Sequence, residues 1–220
     1  SYLKIKTDRE LSAEDMEILS RLSFVFAIFR LEGDREAKHL LPIRKFAYEY
    51  LDPKISSVLK YQGKTNELFT KMMLNVALLS SDFSYDEHLV MMDPVAGRGT
   101  TLFEASVYGF DAYGVEIDPK SVQDTGVFFK KYLETERIKH RLENRQIAGA
   151  KKANAVVLKA FKYANSPEAF KQKKLKTLGL VKANSQHTSK YFKANTFHLI
   201  VGDLPYGIVH GNASHKKTAS

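Results

Sequence analysis

The feature that most constrains this chain of 220 residues is a short apolar run that ends in an acid and leads directly into a glycine-rich turn. The run is His88–Asp93, and the turn reads Asp-Pro-Val-Ala-Gly-Arg-Gly-Thr over residues 93–100. Apolar runs of this length, bounded by turn residues, are typical of buried parallel strands. We therefore expect a strand, a tight turn at its carboxyl end, and then a helix over residues 100–109.

The same order of elements recurs further along the chain. Residues 111–118 form a second apolar run that ends in acids, and residues 177–182 and 196–202 have the character of a third and a fourth strand. Strands that alternate with helices predict a parallel α/β sheet.

The N-terminal part is expected to be mainly helical. Ser12 and Asp15 have the spacing of a capping box, which predicts a helix from there to near Gly33. A second helix is predicted over residues 43–51, and Thr65 is the predicted N-cap of a helix over residues 66–79. These elements divide the chain into a mainly helical segment, 1–57, and an α/β domain, 58–220, with a long basic helical insertion at about 121–176.

The positive charge of the chain is concentrated in one segment. Residues 1–119 carry 14 basic and 19 acidic side chains, whereas residues 120–193 carry 18 and 5, so the two segments have net charges of −5 and +13. Such a concentration fits a surface that meets a polyanion, and it fits a solvated lysine-rich helical face equally well. The candidates for phosphate contacts are Lys130, Lys131, Lys139, Arg141 and Arg145.

Composition excludes several classes of site. Without cysteine there is no disulfide scaffold, thiolate metal site or cysteine nucleophile, and the seven scattered histidines predict no metal site. The most apolar run, 22–31, is too short to span a bilayer, and residues 1–10 lack the apolar core of a secretory signal. We therefore expect a cytoplasmic protein that does not bind membranes, while its oligomeric state has no signal in the sequence.

The glycine-rich turn is suited to a nucleoside cofactor. Gly97 and Gly99 allow the backbone to turn sharply and to approach a ligand closely, and Glu116 lies about 20 residues further on, where a carboxylate can accept both hydroxyls of a ribose. A phosphate-binding loop would need Gly-Lys-Ser/Thr, and a dinucleotide loop would need a third glycine where Leu102 stands. Because Asp93 fits a cationic amino-acid ligand better than a pyrophosphate, this pattern favours S-adenosylmethionine over NAD.

A second chemical motif, Asp203-Leu204-Pro205-Tyr206, follows the fourth predicted strand and so belongs to the same edge of the sheet. The amino group of a nucleic-acid base is a weak nucleophile, and the Asp203 carboxylate and the Leu204 carbonyl can accept its two hydrogens. Pro205 stiffens the turn, and Tyr206 offers a ring on which a base can stack. The motif therefore predicts methyl transfer to an exocyclic amino group, with catalysis largely by positioning.

Together the two motifs resemble those of the nucleic-acid amino-methyltransferases, in which the second motif reads Asp/Asn/Ser-Pro-Pro-Tyr/Phe. Leu204 in place of the first proline, followed by a later glycine, Gly207, is most similar to the tRNA guanine-N2 methyltransferases of the THUMP-associated group and their relatives without THUMP. The resemblance implies a Rossmann-like class I methyltransferase sheet. Because about three strands of such a sheet would follow the second motif, we expect the sheet to be incomplete at the C-terminus.

The resemblance also implies roles for individual residues. Asp93, Gly97 and Gly99 would line the methionine moiety, Glu116 would bind the ribose, and Asn184 would lie against the adenine. The segment around Tyr61 and Thr65 would close over the methionine end. The implied cofactor site comprises Tyr61, Thr65, Asp93, Pro94, Ala96, Gly97, Gly99, Thr100, Glu116, Ile117, Asp118, Asn184 and Ser185.

Other functions remain open at this point. N6-adenine methylation of DNA uses the same motif logic, although Leu204 and Gly207 favour RNA. A non-catalytic methyltransferase-like module that binds RNA or a partner is a second alternative. Methylation of a protein glutamine amide shares the chemistry but has no need of a basic surface.

Overall fold

The computed structural model describes residues 2–33, 37–58, 64–149 and 155–204. They form two compact units, Ser1–Tyr48 and Glu49–Ser220. The boundary predicted at residues 57 and 58 falls at the end of a helix, α2 (Lys54–Val58), inside the second unit.

The described residues of the first unit form one helix and a pair of antiparallel strands. Helix α1 (Ala13–Arg21) begins at the predicted capping box, in which the Ser12 and Asp15 backbone amides each donate to the other residue's side chain at 2.7 and 3.1 Å. Strands β1 (Ile28–Gly33) and β2 (Lys38–Ile43) follow and pair in antiparallel register.

The helical prediction for this unit was wrong beyond Arg21. The predicted first helix ends there instead of near Gly33, and residues 44–53, all of which the structure describes, form no helix. The apolar residues between 24 and 31 are aromatic or β-branched for the most part, and such side chains favour extended backbone over helix. The spacing of these apolar residues is compatible with the period of a helix and with that of a strand, so residue type was the better guide to the secondary structure.

The second unit is built around a six-stranded sheet. Its elements after α2 are α3 (Glu67–Leu79), β3 (Val90–Asp93), α4 (Thr100–Val107), β4 (Asp111–Glu116), α5 (Pro119–Thr135), β5 (Lys139–Ala148), β6 (Val156–Ala164), α6 (Pro167–Lys171), β7 (Lys176–Lys182), a 3₁₀ helix (Ser185–Lys190) and β8 (Leu199–Ile200). The strand order is β5-β6-β7-β4-β3-β8, in which β7, β4, β3 and β8 are parallel and β5 and β6 are antiparallel. The four predicted strands are confirmed as the parallel part, which is a Rossmann-like arrangement.

The predicted basic helical insertion is only partly helical. Helix α5 covers its beginning, but residues 139–148 and 156–164 are the two antiparallel strands that widen the sheet. Strand β5 alternates with a period of two, with a charge at every second residue from Lys139 to Arg145, whereas β6 is apolar at all but two of its positions. The high lysine content obscured this period, which is why a helix was predicted.

Helices α4 and α5 cover one face of the sheet. Phe129 of α5 packs against Phe161 and Tyr163 of β6, with ring centroids 5.4 Å apart in both pairs. Residues 185–198 cover the opposite face, where Phe192 and Phe197 pack against Tyr113 of β4 at 5.9 and 5.8 Å. We refer to these as the α5 face and the Tyr113 face. In the described part of the chain, no helix is long and apolar enough to cross a membrane.

Candidate active site at the carboxyl edge of the sheet

Three carboxylates meet where the parallel strands end. Asp93 is the last residue of β3, Glu116 is the last residue of β4, and Asp203 follows β8. Asp93 is only 2% exposed, and burial raises its pKa to about 6, with the negative charges of Glu116 and Asp203 adding to the shift. Hydrogen bonds from the Val95 amide, at 2.9 Å, and from Thr101 lower that pKa without offsetting the burial. The charged groups that act on this buried acid are themselves acidic.

The glycine-rich turn is tied to the end of the neighbouring strand. The Gly97 amide donates to Oε2 of Glu116 at 2.8 Å, and the Asp118 amide donates to Oε1 of the same carboxylate at 2.8 Å. Gly97 has a φ of 50°, and a Cβ placed there would have nothing within 4 Å. The backbone at Gly97 therefore faces open space at this edge of the sheet.

Gly99 has closer neighbours than Gly97. Its φ is 86°, and a Cβ there would lie 2.7 Å from Cγ2 of Thr125 in α5. This glycine therefore allows α4 and α5 to pack closely, a role that the sequence did not predict, and its contact with a ligand stays a prediction. Ala96 and Thr100 are also buried, whereas Pro94 is half-buried.

A hydrogen bond joins two predicted site residues that lie 138 positions apart. Oγ1 of Thr65 donates to Oδ2 of Asp203 at 2.8 Å. The prediction that Thr65 is the N-cap of α3 was wrong. Asn66 takes that position, and its side chain accepts from the Leu68 and Phe69 amides at 2.9 and 3.2 Å. The Thr65 hydroxyl is therefore available to orient the Asp203 carboxylate, which can accept further hydrogen bonds.

Gly202 lies against Asp93 and was missed by sequence reasoning. A Cβ on Gly202 would be 2.8 Å from Oδ1 of Asp93 and 3.2 Å from Cδ of Pro94. The Val201 amide donates to the Met92 carbonyl at 2.9 Å, which keeps the ends of β8 and β3 side by side. The position of a glycine directly before Asp203, at the end of a strand, was the available signal.

Two other predicted cofactor residues act as helix caps. Asp118 is the N-cap of α5 and accepts from the Lys120 and Ser121 amides at 3.2 and 2.9 Å, and the hydrogen bonds from Ser121 lower its pKa. Asn184 is the N-cap of the 3₁₀ helix, where its Oδ1 accepts from the Gln186 amide at 3.0 Å. The side-chain oxygens of Asp118 and Asn184 therefore accept hydrogen bonds from backbone amides of the helices that they cap.

The remaining predicted residues are placed as follows. Ser185 begins the 3₁₀ helix and is partly buried, whereas Ile117 is 61% exposed directly after β4, and Leu204 is 71% exposed directly after Asp203. Tyr61, Pro205 and Tyr206 lie outside the described residues. Within the described ranges, no group of three or more metal-ligating side chains is arranged to hold a metal ion.

The predicted phosphate-binding residues do not form a single surface. Lys130 and Lys131 belong to α5 and are exposed on the α5 side of the sheet. Lys139, Arg141 and Arg145 alternate along β5, and the pairing of Arg145 with Leu158, of Leu158 with Val181 and of Val181 with Val115 places them on the Tyr113 face.

A mostly parallel sheet with a glycine turn and gathered carboxylates at its carboxyl edge defines the class of Rossmann-like methyltransferases. The chain matches the family model described as the RMKL-like methyltransferase domain over residues 62–218. This match covers more than half of the chain, and the protein belongs to that family. A comparison with curated proteins gave no match.

Proposed function

We propose that this methyltransferase domain transfers a methyl group from S-adenosylmethionine to guanine N2 of tRNA or another structured RNA. The observation that carries the proposal is the meeting of Asp203, Asp93 and Thr65 beside the glycine-rich turn. This arrangement puts an acceptor for a base amino group next to acidic residues suited to a cationic cofactor.

The residues at the edge of the sheet fit S-adenosylmethionine. Asp93 is a buried acid with other acids around it, so a cationic ligand would stabilise its ionised form. Glu116 uses one hydrogen bond per oxygen for the turn, which leaves acceptor capacity for ribose hydroxyls. The exposed side chain of Ile117 offers an apolar surface to an adenine ring. Asp93 and the Gly97 backbone would then hold the methionine end.

S-adenosylmethionine supplies an electrophilic methyl group on a sulfonium centre. The chain's own residues would prepare the nucleophile, because the Asp203 carboxylate accepts a hydrogen from the base amino group and the Leu204 carbonyl accepts the other. The hydrogen bond from Thr65 fixes one oxygen of Asp203, and this limits the orientations of the carboxylate. The same carboxylate can take up the proton that the nitrogen loses once the new bond has formed.

RNA is favoured as the substrate by charge and by motif. The net charge of +13 over residues 120–193 supports a polyanionic substrate. The similarity of the Leu204 and Gly207 variant to tRNA guanine-N2 methyltransferases supports RNA over DNA.

The test uses methyl-labelled S-adenosylmethionine with unmodified tRNA and unmethylated DNA in parallel, followed by nucleoside analysis. We expect N2-methylguanosine in tRNA, lost in Asp203→Asn and retained in Asp86→Asn, since Asp86 is exposed in the turn before β3, away from the candidate site residues in the sequence. Cofactor binding, measured by calorimetry, should persist in both variants. N6-methyladenine in DNA would instead support the alternative function, N6-adenine methylation of DNA. Label in neither substrate, despite cofactor binding, would contradict both and favour a protein amide substrate or a non-catalytic module.

A further inference from the structure

All charged side chains of strand β5 belong to one of its two faces. Lys139, Arg141, Glu143 and Arg145 occupy alternate positions, and successive side chains of a strand point to opposite faces. The intervening residues carry no formal charge and are His140, Leu142, Asn144 and Gln146.

The charged face of β5 is the Tyr113 face of the sheet. Besides the register of the strands, the charge of Arg145 acts on the Tyr113 hydroxyl and lowers its pKa, although burial raises that pKa overall. Lys162 of β6 is the register partner of Arg141, so it shares this face, and its ammonium donates to Oγ1 of Thr177 at 2.7 Å.

The segment that covers the Tyr113 face adds further positive charge. Residues 185–198 include the exposed Lys190 and Lys193 and contain no acid. Among the described residues of β5, β6 and this segment, the face therefore carries six lysines and arginines against one acid, Glu143. The six are Lys139, Arg141, Arg145, Lys162, Lys190 and Lys193.

Helix α5, on the opposite face, has its charges nearly balanced. It contains three lysines and two acids, and Lys130 pairs with Glu134 at 3.5 Å. Asp124 of this helix pairs with Arg98 at 3.5 Å. Helix α5 thus has a net charge of +1, whereas the counted residues of the Tyr113 face, six basic and one acidic, have a net charge of +5. This difference favours the Tyr113 face over α5 as a polyanion-binding surface.

Charged residues also protect exposed edge strands from pairing with other chains, and β5 is the outer strand of this sheet. Protection of the edge explains charges on β5 itself. It does not explain the charge of Lys162 on the next strand or those of Lys190 and Lys193. The β5 residues from Lys139 to Arg145 span about 20 Å. Arg145 lies at the level of Val115, next to Glu116 at the candidate site. The basic residues of β5 therefore lead away from the site, from Arg145 to Lys139.

We propose that Lys139, Arg141, Arg145 and Lys162, which we refer to as the basic strip, bind the phosphate backbone of the RNA that flanks the target base. This inference rests on the proposed function for the identity of the polyanion. The proposal distinguishes the basic strip from Lys130 and Lys131 of α5, which would have no part in RNA docking.

Two matched double variants test the basic strip. Lys139→Ala/Arg145→Ala removes two charges from it, and Lys130→Ala/Lys131→Ala removes two from α5. Binding of a labelled, unmodified tRNA transcript is measured by fluorescence anisotropy at salt concentrations of about 50 to 200 mM. We expect the strip variant to bind about tenfold more weakly, with a plot of log affinity against log salt shallower by about 1.5, and the α5 variant to match the wild type within about twofold.

A charge-conserving variant, Arg141→Lys/Arg145→Lys, controls for effects of substitution on the folding of β5 and should keep the salt dependence of the wild type. Wild-type affinity in the strip variant, an equal loss in the α5 variant, or no tRNA binding by the wild type would overturn the docking surface. Methylation by the wild type is measured separately. Strip-dependent binding without methylated guanosine would refute the proposed function alone, whereas methylation with unchanged affinity in the strip variant would refute the docking surface alone.

Discussion

Oγ1 of Thr65 donates a hydrogen bond of 2.8 Å to Oδ2 of Asp203, linking the residue before the N-cap of α3 to the residue that begins the candidate catalytic motif. The sequence suggested that Thr65 binds the cofactor, whereas the structure gives it a contact with Asp203. A hydrogen bond to a charged acceptor is worth about 1.5–3 kcal/mol. Thr65 is thus a candidate positioning residue for Asp203.

Thr65→Val should slow methyl transfer, because valine keeps the shape of threonine but cannot donate to Asp203. We expect kcat to fall by about 10- to 100-fold, in line with the strength of a charged hydrogen bond, while the cofactor Kd changes by less than about twofold. Single-turnover kinetics and calorimetry give the two quantities.

Thr65→Ser is the matched control, since serine retains the hydroxyl and should recover most of kcat. A Val variant with weakened cofactor binding and unchanged kcat would show that Thr65 acts on the cofactor.

The two glycines of the turn should respond differently to alanine. Gly97→Ala introduces strain at a positive φ without a clash, so unfolding free energy should fall by about 1–2 kcal/mol. Gly99→Ala adds a contact of 2.7 Å with Thr125 to the same strain and should lose more. Urea denaturation compares the two variants, and equal losses would argue against the packing role of Gly99.

Cofactor affinity should rise with pH in the range where Asp93 ionises. With the pKa of this buried acid at about 6, roughly a tenth of the carboxyl is ionised at pH 5, so affinity for a cationic cofactor should be about tenfold lower there than at pH 7. Asp93→Asn should bind S-adenosylmethionine weakly and without this pH dependence. Asp86→Asn, at an exposed acid in the turn before β3, should keep the affinity and the pH dependence of the wild type, and calorimetry from pH 5 to pH 8 makes the comparison.

Glu104, inside α4, should make stability depend on pH. It is 6% exposed, and burial raises its pKa to about 7 from the usual 4.5. The native state therefore binds more protons than the unfolded state between these values, and the stability linked to Glu104 falls as pH rises through that window, by roughly 2–3 kcal/mol.

Glu104→Gln should remove this loss and unfold at a higher temperature than the wild type at pH 8, with the difference vanishing near pH 5. Glu134→Gln, on the surface of α5, is the control and should shift the melting temperature little at either pH. A constant difference between Glu104→Gln and the wild type across the range would show that Glu104 does not titrate on unfolding.

Much of the edge that carries the site was predictable, because local patterns specify it. An apolar run before Asp93, glycines that permit a sharp turn, and a second run before Glu116 determine a strand, a turn and a strand within about 25 residues. The position of Asp203 after the last strand followed from the same pattern, since parallel strands share a carboxyl edge. These features need no knowledge of distant contacts.

The local sequence pattern thus specifies the order of the parallel strands and the acids at their carboxyl ends. Three features depend instead on the folded structure: Thr65 contacts Asp203, Gly99 permits the packing of α5, and Lys139 and Lys130 lie on opposite faces of the sheet. Each of these depends on which strands pair, in what register, and which helix covers which face. Such contacts join residues far apart in the chain, and the period of a local segment does not encode its distant partner.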